Sequence, residues 1–165
     1  MQEVSKANLQ KRIRQLEKLV MQDELTKLPN YRYFKYAVKQ ELSRAKRFGN
    51  PLSLLVIDIN KFKELNDTKG HLEADRWLRV VAKILAENIR KYDILCRYGG
   101  DEFVIIFPNV NKEQASLTKE ELKRDIARTT FVTISVGTST YPKDGKSLKT
   151  LFNKADKEMY KDKRK

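Results

Sequence analysis

Gly99-Gly100-Asp101-Glu102 sets two glycines and two acids directly before the apolar run Phe103–Phe107. Glycine permits a sharp turn and a close backbone approach to a phosphate. A further acid, Asp58, interrupts the otherwise apolar segment LSLLVIDI, Leu52–Ile59. A buried acid requires a partner. If these segments are neighbouring strands, the three acids converge at one edge of a sheet. Carboxylates that close raise one another's pKa and repel, and a bound divalent cation removes that penalty. Oxygen-only ligands suit Mg²⁺, which takes one or two carboxylates plus substrate phosphates. The bland alternative is a solvated turn whose acids pair with Arg97. Asp58 inside an apolar strand weighs against it.

The elements that would carry these residues follow from patterning. Leu9, Ile13, Leu16 and Val20 form a narrow apolar seam on a helix over 4–24. The seam suits either the end of a longer helix pair or packing on its own domain. LPN, Leu28–Asn30, breaks that helix, and Asn30 can cap the next, at about 31–48. FGNP, Phe48–Pro51, is a turn, and 52–59 reads as a strand buried on both faces. A polar loop leads to Gly70-His71 and a helix over about 72–90. Residues 93–97 and 103–107 read as a hairpin with Gly99-Gly100 as its two-residue turn. A Lys- and Glu-rich helix at about 112–128, an alternating strand over 130–138 and a helix over 147–161 complete the chain. This order predicts an α+β fold: a central, mostly antiparallel sheet flanked by helices. The domain organisation expected is an N-terminal helix, 1–24, then one domain, 25–165.

Composition narrows the partners. The 165 residues carry a net charge of +13 with 35% charged residues, which favours anionic partners. Basic residues are spread along the helices without interleaved aromatics, which argues against nucleic acid. A lone cysteine, Cys96, excludes an internal disulfide and fits a reducing compartment. No apolar run approaches a membrane span, and no signal-peptide pattern opens the sequence. A cytoplasmic location is expected.

RYGGDEF, Arg97–Phe103, resembles the signature of the GGDEF family, the diguanylate cyclases. The resemblance extends in order through DELTKLPNYRYF (Asp23–Phe34), IDINKFKELNDTKGH (Ile57–His71), TISVGTST (Thr133–Thr140) and ADKEMYKDK (Ala155–Lys163). It implies a fold like nucleotidyl cyclases and polymerase palms, ferredoxin-like with flanking helices. It implies condensation of two GTP, one on each of two facing domains, to cyclic di-GMP and two pyrophosphates. A homodimer is therefore the expected catalytic form, with Mg²⁺ or Mn²⁺ as cofactor.

Residue roles carry over on the same basis. Asp58 and Asp101 would hold the metal, with the Ile59 carbonyl as a further ligand. Glu102 would ligate metal or help activate the attacking hydroxyl. The backbone of Asn60, Lys61 and Phe62 would line the phosphates, Lys63 would stabilise their growing charge, and Lys163 would contact them. Gly99 and Gly100 would let the backbone approach a phosphate. Asn66 and Asp75 would read the guanine, since an amide and a carboxylate match its carbonyl and N–H edge. His71 matches a substrate-proximal position. Leu25, Phe62 and Leu78 match apolar positions around the base, a role compatible with plain core. RKYD, Arg90–Asp93, resembles the inhibitory product site, expected on a different face from the acids, with Arg44 supplying a second arginine from a neighbouring domain. The alternative reading is a GGDEF-like sensor that binds GTP or cyclic di-GMP with little turnover.

The sequence departs from the family pattern at three places. Ala74 stands where glycine is common, a change expected to tighten the base pocket. The span Phe103–Ser135 is short, so a hairpin or helical turn is expected to be missing. The arginine that commonly follows the position of Lys163 has no clear equivalent, Arg164 being too early, and triphosphate affinity is expected to suffer.

Overall fold

The computed structural model describes residues 8–10, 12 and 20–164. Leu9 and Val20 of the expected seam are about half exposed; Ile13 and Leu16 lie outside the described residues. The helix expected to reach residue 24 ends sooner, because Gln22 pairs with Pro29 in an isolated bridge. Asp23 accepts from the Thr26 N–H at 2.8 Å and from its hydroxyl at 2.7 Å, which turns the chain.

Asn30 then starts α1 (Tyr31–Phe48). Its side-chain oxygen accepts from the N–H groups of Arg32 and Tyr33 at 3.0 and 3.1 Å, satisfying donors that a helix start otherwise leaves open. Strand β1 (Leu52–Ile59) is buried at every residue. The segment expected to be a polar loop instead forms helix α2 (Phe62–Lys69), followed at once by α3 (His71–Glu87). With Leu65 as its single buried residue, α2 shows little helical period. Helix α3 stops at Glu87 rather than near 90, with Asn88 as its C-cap.

Strands β2 (Ile94–Gly99) and β3 (Glu102–Pro108) form the hairpin. Gly99 pairs with Glu102, so the turn residues are Gly100 and Asp101, one later than expected. A register irregularity between Arg97 and Gly99 accounts for the shift. Helix α4 (Lys112–Thr129) starts from an Asn111–Gln114 capping box, and α5 (Leu148–Asp162) from a Ser147–Thr150 box. The last strand, β4 (Ile134–Tyr141), begins four residues later than 130. Thr130 is drawn away from it, its hydroxyl donating back to the Ile126 carbonyl at 2.7 Å.

The sheet runs β2-β3-β1-β4 with every pairing antiparallel, the ferredoxin-like arrangement. A single helix, α4, joins β3 to β4. Helices α3 and α4 cover one face, where Leu78, Val81, Leu122 and Ile126 pack on Leu55, Ile57 and Phe103. Helices α1 and α5 cover the other, with Phe34, Val38, Leu151 and Met159 on Leu54, Val56 and Val104. A Cβ on Gly137 would collide with the Ala155 carbonyl and the Met159 amide, so only glycine lets α5 lie this close on β4. No described helix is long and apolar enough to cross a membrane.

Candidate active site

Period-two alternation puts Asp58 on the α1/α5 face of the sheet, at the end of β1. It lies opposite Glu102 on one side and Ser135 on the other, and is 7% exposed. The Ile59 N–H donates to the Asp101 carbonyl at 3.2 Å, tying the hairpin turn to the end of β1. The three acids expected to converge are therefore carried by neighbouring strand ends. Burial pushes the Asp101 carboxyl above its ordinary range, and the Asp58 charge adds to this. Glu102 is raised likewise, by burial first, then by Asp58, Asp101 and Asp156.

One cation answers this charge directly. Lys163 Nζ lies 2.6 Å from Asp58 Oδ1. Among the described residues, no three His, Cys, Asp or Glu side chains are grouped so as to hold a metal ion by themselves. The donors present are carboxylates, and Asp58 already accepts a cation. That set fits Mg²⁺ or Mn²⁺ completing its shell with phosphate oxygens and water.

The segment after β1 is held rigidly. Asn60 donates from its amide nitrogen to the Thr133 hydroxyl at 2.9 Å and accepts from the Ser135 hydroxyl at 2.6 Å. Lys61 adopts a left-handed φ of 55°, uncommon for a lysine. No side chain caps the N-terminus of α2 that it opens, the kind of helix start that favours anions. A cavity of about 560 Å³ opens beside it, lined by Asn60, Lys61, Thr68, Lys69, Thr133 and Lys163. Lys63 is exposed in the first turn of α2.

Asn66 is half-buried, and its Oδ1 is a buried acceptor with no hydrogen-bond partner. Such a group costs stability until a donor reaches it. Asp75 is half-buried on α3, and His71 is exposed at the start of that helix. Leu25 and Phe62 pack, half-buried, against the cluster that contains Leu78. Gly99 is exposed; Gly100 has φ 44° and presents its carbonyl to Arg97.

That arginine was considered above only as a partner for the acids. In the structure its guanidinium donates twice to the Gly100 carbonyl, at 3.0 and 2.7 Å, and pairs with Asp23 at 3.0 Å. Burial would raise the Asp23 carboxyl, but the bonds from Thr26 and Arg97 outweigh it and hold the group below its usual range. Arg97 thus fastens the hairpin to the segment entering α1. Asp156 was also missed. It lies seven positions before Lys163, two turns along the same helix face, and that spacing is the signal that could have revealed it. Asp162 was missed as an anchor: it accepts from Lys123 at 2.7 Å and from the Val136 N–H at 3.0 Å.

Arg90 and Asp93 lie at the opposite end of the strands from the acids, since Ile94 pairs with Ile106 and Gly99 with Glu102. The separation runs along the sheet and also across it, since Phe107, which lines the cavity of Arg90 and Asp93, belongs to the α3/α4 face whereas Asp58 faces α1 and α5. The Arg90 N–H donates to Asp93 Oδ2 at 2.8 Å. Both residues line a cavity of about 160 Å³ with Phe107 and Gln114. Arg44 lines a separate cavity of about 360 Å³ with Phe48 and Tyr92, and pairs with Glu41 at 2.8 Å.

Known proteins resemble this chain. The response regulator PleD of Caulobacter vibrioides is 38% identical over 152 residues, covering 86% of this chain and 34% of PleD. Diguanylate cyclase DosC of Escherichia coli is 42% identical over 107 residues, 65% of this chain and 23% of DosC. The chain thus spans about a third or less of the length of these relatives. The coiled coil and GGDEF domain of DgcB from Caulobacter crescentus, solved in complex with cyclic di-GMP, superposes with a TM-score of 0.87 at 27% identity, covering 96% of this chain and 88% of that one. The family described as "Diguanylate cyclase, GGDEF domain" matches residues 20–165, and the chain belongs to it.

Proposed function

We propose that this domain condenses two GTP into cyclic di-GMP and two pyrophosphates in a divalent-metal-dependent reaction. The observation that carries this reading is the convergence of Asp58, Asp101 and Glu102 at adjoining strand ends, beside a cavity where Lys61, Lys69 and Lys163 stand with Glu64 and Phe131. Asp58, Asp101 and the Ile59 carbonyl would hold Mg²⁺ or Mn²⁺, with Glu102 as ligand or as the group that helps deprotonate the nucleophile. The metal, when bound, supplies charge on the phosphates. Asn60, Lys61 and Phe62 line the triphosphate through their backbone, and Lys63 and Lys163 balance its charge. Asn66 presents an unsatisfied acceptor to the guanine N–H edge, with Asp75 alongside.

In each half-reaction a 3′-hydroxyl loses its proton and its oxygen bonds to the α-phosphorus of the other GTP. The bond to the β-phosphate breaks, and pyrophosphate leaves. Two domains must therefore face each other, and the active form is a homodimer of the catalytic domain, 25–165. Cyclic di-GMP binding at Arg90 and Asp93, with Arg44 from a neighbouring domain, inhibits from the far end of the sheet. The cytoplasm supplies the GTP.

The test is incubation with GTP and Mg²⁺ and identification of the nucleotide product, repeated over a range of protein concentrations. The reading expects cyclic di-GMP and a specific activity that rises with protein. GTP binding without product would leave a receptor.

A further inference from the structure

The lysine expected at the triphosphate is not aimed only at the cavity. Its ammonium sits on the carboxylate assigned to the metal, 2.6 Å from Asp58 Oδ1. The Asp58 side chain is 10% exposed and that of Lys163 is 38% exposed, so the acid is enclosed while the lysine keeps a path outward. Lys163 also lines the cavity shared with Asn60 and Lys61. It therefore stands between two anionic destinations, the carboxylate and any phosphate entering that cavity.

The backbone beneath it is held in place. Asp162, the preceding residue, is pinned by Lys123 and by the Val136 N–H. The Lys163 N–H bonds the Met159 carbonyl at 3.0 Å. A change of destination is thus a side-chain rotation about the flexible four-carbon stem, with no movement of α5.

We propose that Lys163 is a resident counter-cation that exchanges with the metal. It occupies Asp58 while the site holds no nucleotide, leaves when a divalent cation takes that carboxylate, and is thereby delivered to the triphosphate. Two cations crowding one enclosed carboxylate repel, so metal and lysine compete for Asp58. Because the displaced lysine gains a phosphate, metal and nucleotide each strengthen the binding of the other, as linkage requires. This rests on the reading of Asp58 as a metal carboxylate.

Direct Mn²⁺ binding, followed by electron paramagnetic resonance without nucleotide, tests the exchange apart from turnover. The proteins compared are wild type, Lys163→Gln and Lys163→Arg. The expected result is Mn²⁺ affinity about tenfold higher in Lys163→Gln, within the usual range of coupling between two ligands, with Lys163→Arg close to wild type. A nonhydrolysable GTP analogue should strengthen Mn²⁺ binding to wild type more than to Lys163→Gln. Equal affinity in all three proteins overturns the exchange and leaves the metal site standing. No binding to any of them at millimolar Mn²⁺ overturns the metal reading of Asp58, and the exchange with it.

Discussion

The two ends of the sheet handle charge in opposite ways. At the Asp58 end, burial and then the charge of Asp58 raise the Asp101 and Glu102 carboxyls, Asn66 keeps an acceptor without a donor, and the main relief is a lysine 105 residues away in sequence. At the Arg90 end, Asp93 is bonded by a backbone N–H three residues away, and Arg44 is paired with Glu41 one turn before it. The first end is unsatisfied without a ligand. The second is paired locally, although burial still raises the Asp93 carboxyl above its ordinary range. Strained, under-satisfied groups are what a reaction site tolerates, whereas the proposed product site would rest in a local arrangement until a ligand competes for it.

Substitutions at the two ends should therefore differ in kind. The largest effect is expected from Asp58→Ala or Asp101→Ala, which should lower cyclic di-GMP synthesis by about a thousandfold or more, the scale of losing transition-state charge stabilisation. Chromatographic product assays measure this, with circular dichroism checking the fold. Next is Asn66→Ala, expected to cut discrimination of GTP over ATP by about a hundredfold, since a site built around one hydrogen-bond pattern rejects another strongly. Competition kinetics give that ratio directly.

At the other end, Arg90→Ala should weaken cyclic di-GMP binding by roughly tenfold to a hundredfold, the worth of a charge-assisted bond. Its initial rate at low product should match wild type. Calorimetry together with a product titration separates the two quantities, and a matching fall in initial rate would break the contrast between the ends.

The smallest effect concerns pH. Asp101 and Glu102 have folded pKa values raised above the unfolded ones, so what they contribute to stability is fully present below the unfolded carboxylate range and lost as pH rises through the raised values. Metal-free Asp101→Asn should accordingly melt at a higher temperature than wild type at neutral pH, and the gap should close on acidification. Synthesis by the wild type should decline on the acid side at a pH above that of an ordinary carboxylate. Melting curves and rate profiles across the acid range check both signs.

What could be read from the sequence divides along the same line. Local signals carried far: the Asn30 cap and the buried run of β1 each involve neighbours within a few positions. Helix α2 escaped because Leu65 is its single buried residue, too little for periodicity to register. The hairpin turn shifted by one because a register irregularity near Arg97 is set by pairing across strands. The β4 boundary moved because Thr130 bonds back into α4. The residues to which the sequence reading gave no role, Asp23, Asp156 and Asp162, act through partners brought close only by folding. Two oppositely charged residues 74 positions apart carry no local trace of their meeting.

Gly137 gives the site an unusual kind of tolerance. The depth at which α5 beds on β4 is set by a hydrogen atom standing where other residues carry a carbon. The same helix ends in the turn that presents Lys163 to Asp58. A single added methyl would act as a shim, lifting the helix and with it the far end that carries the lysine. The alignment of the Asp58 edge is thus machined from beneath, at a position that bears no charge.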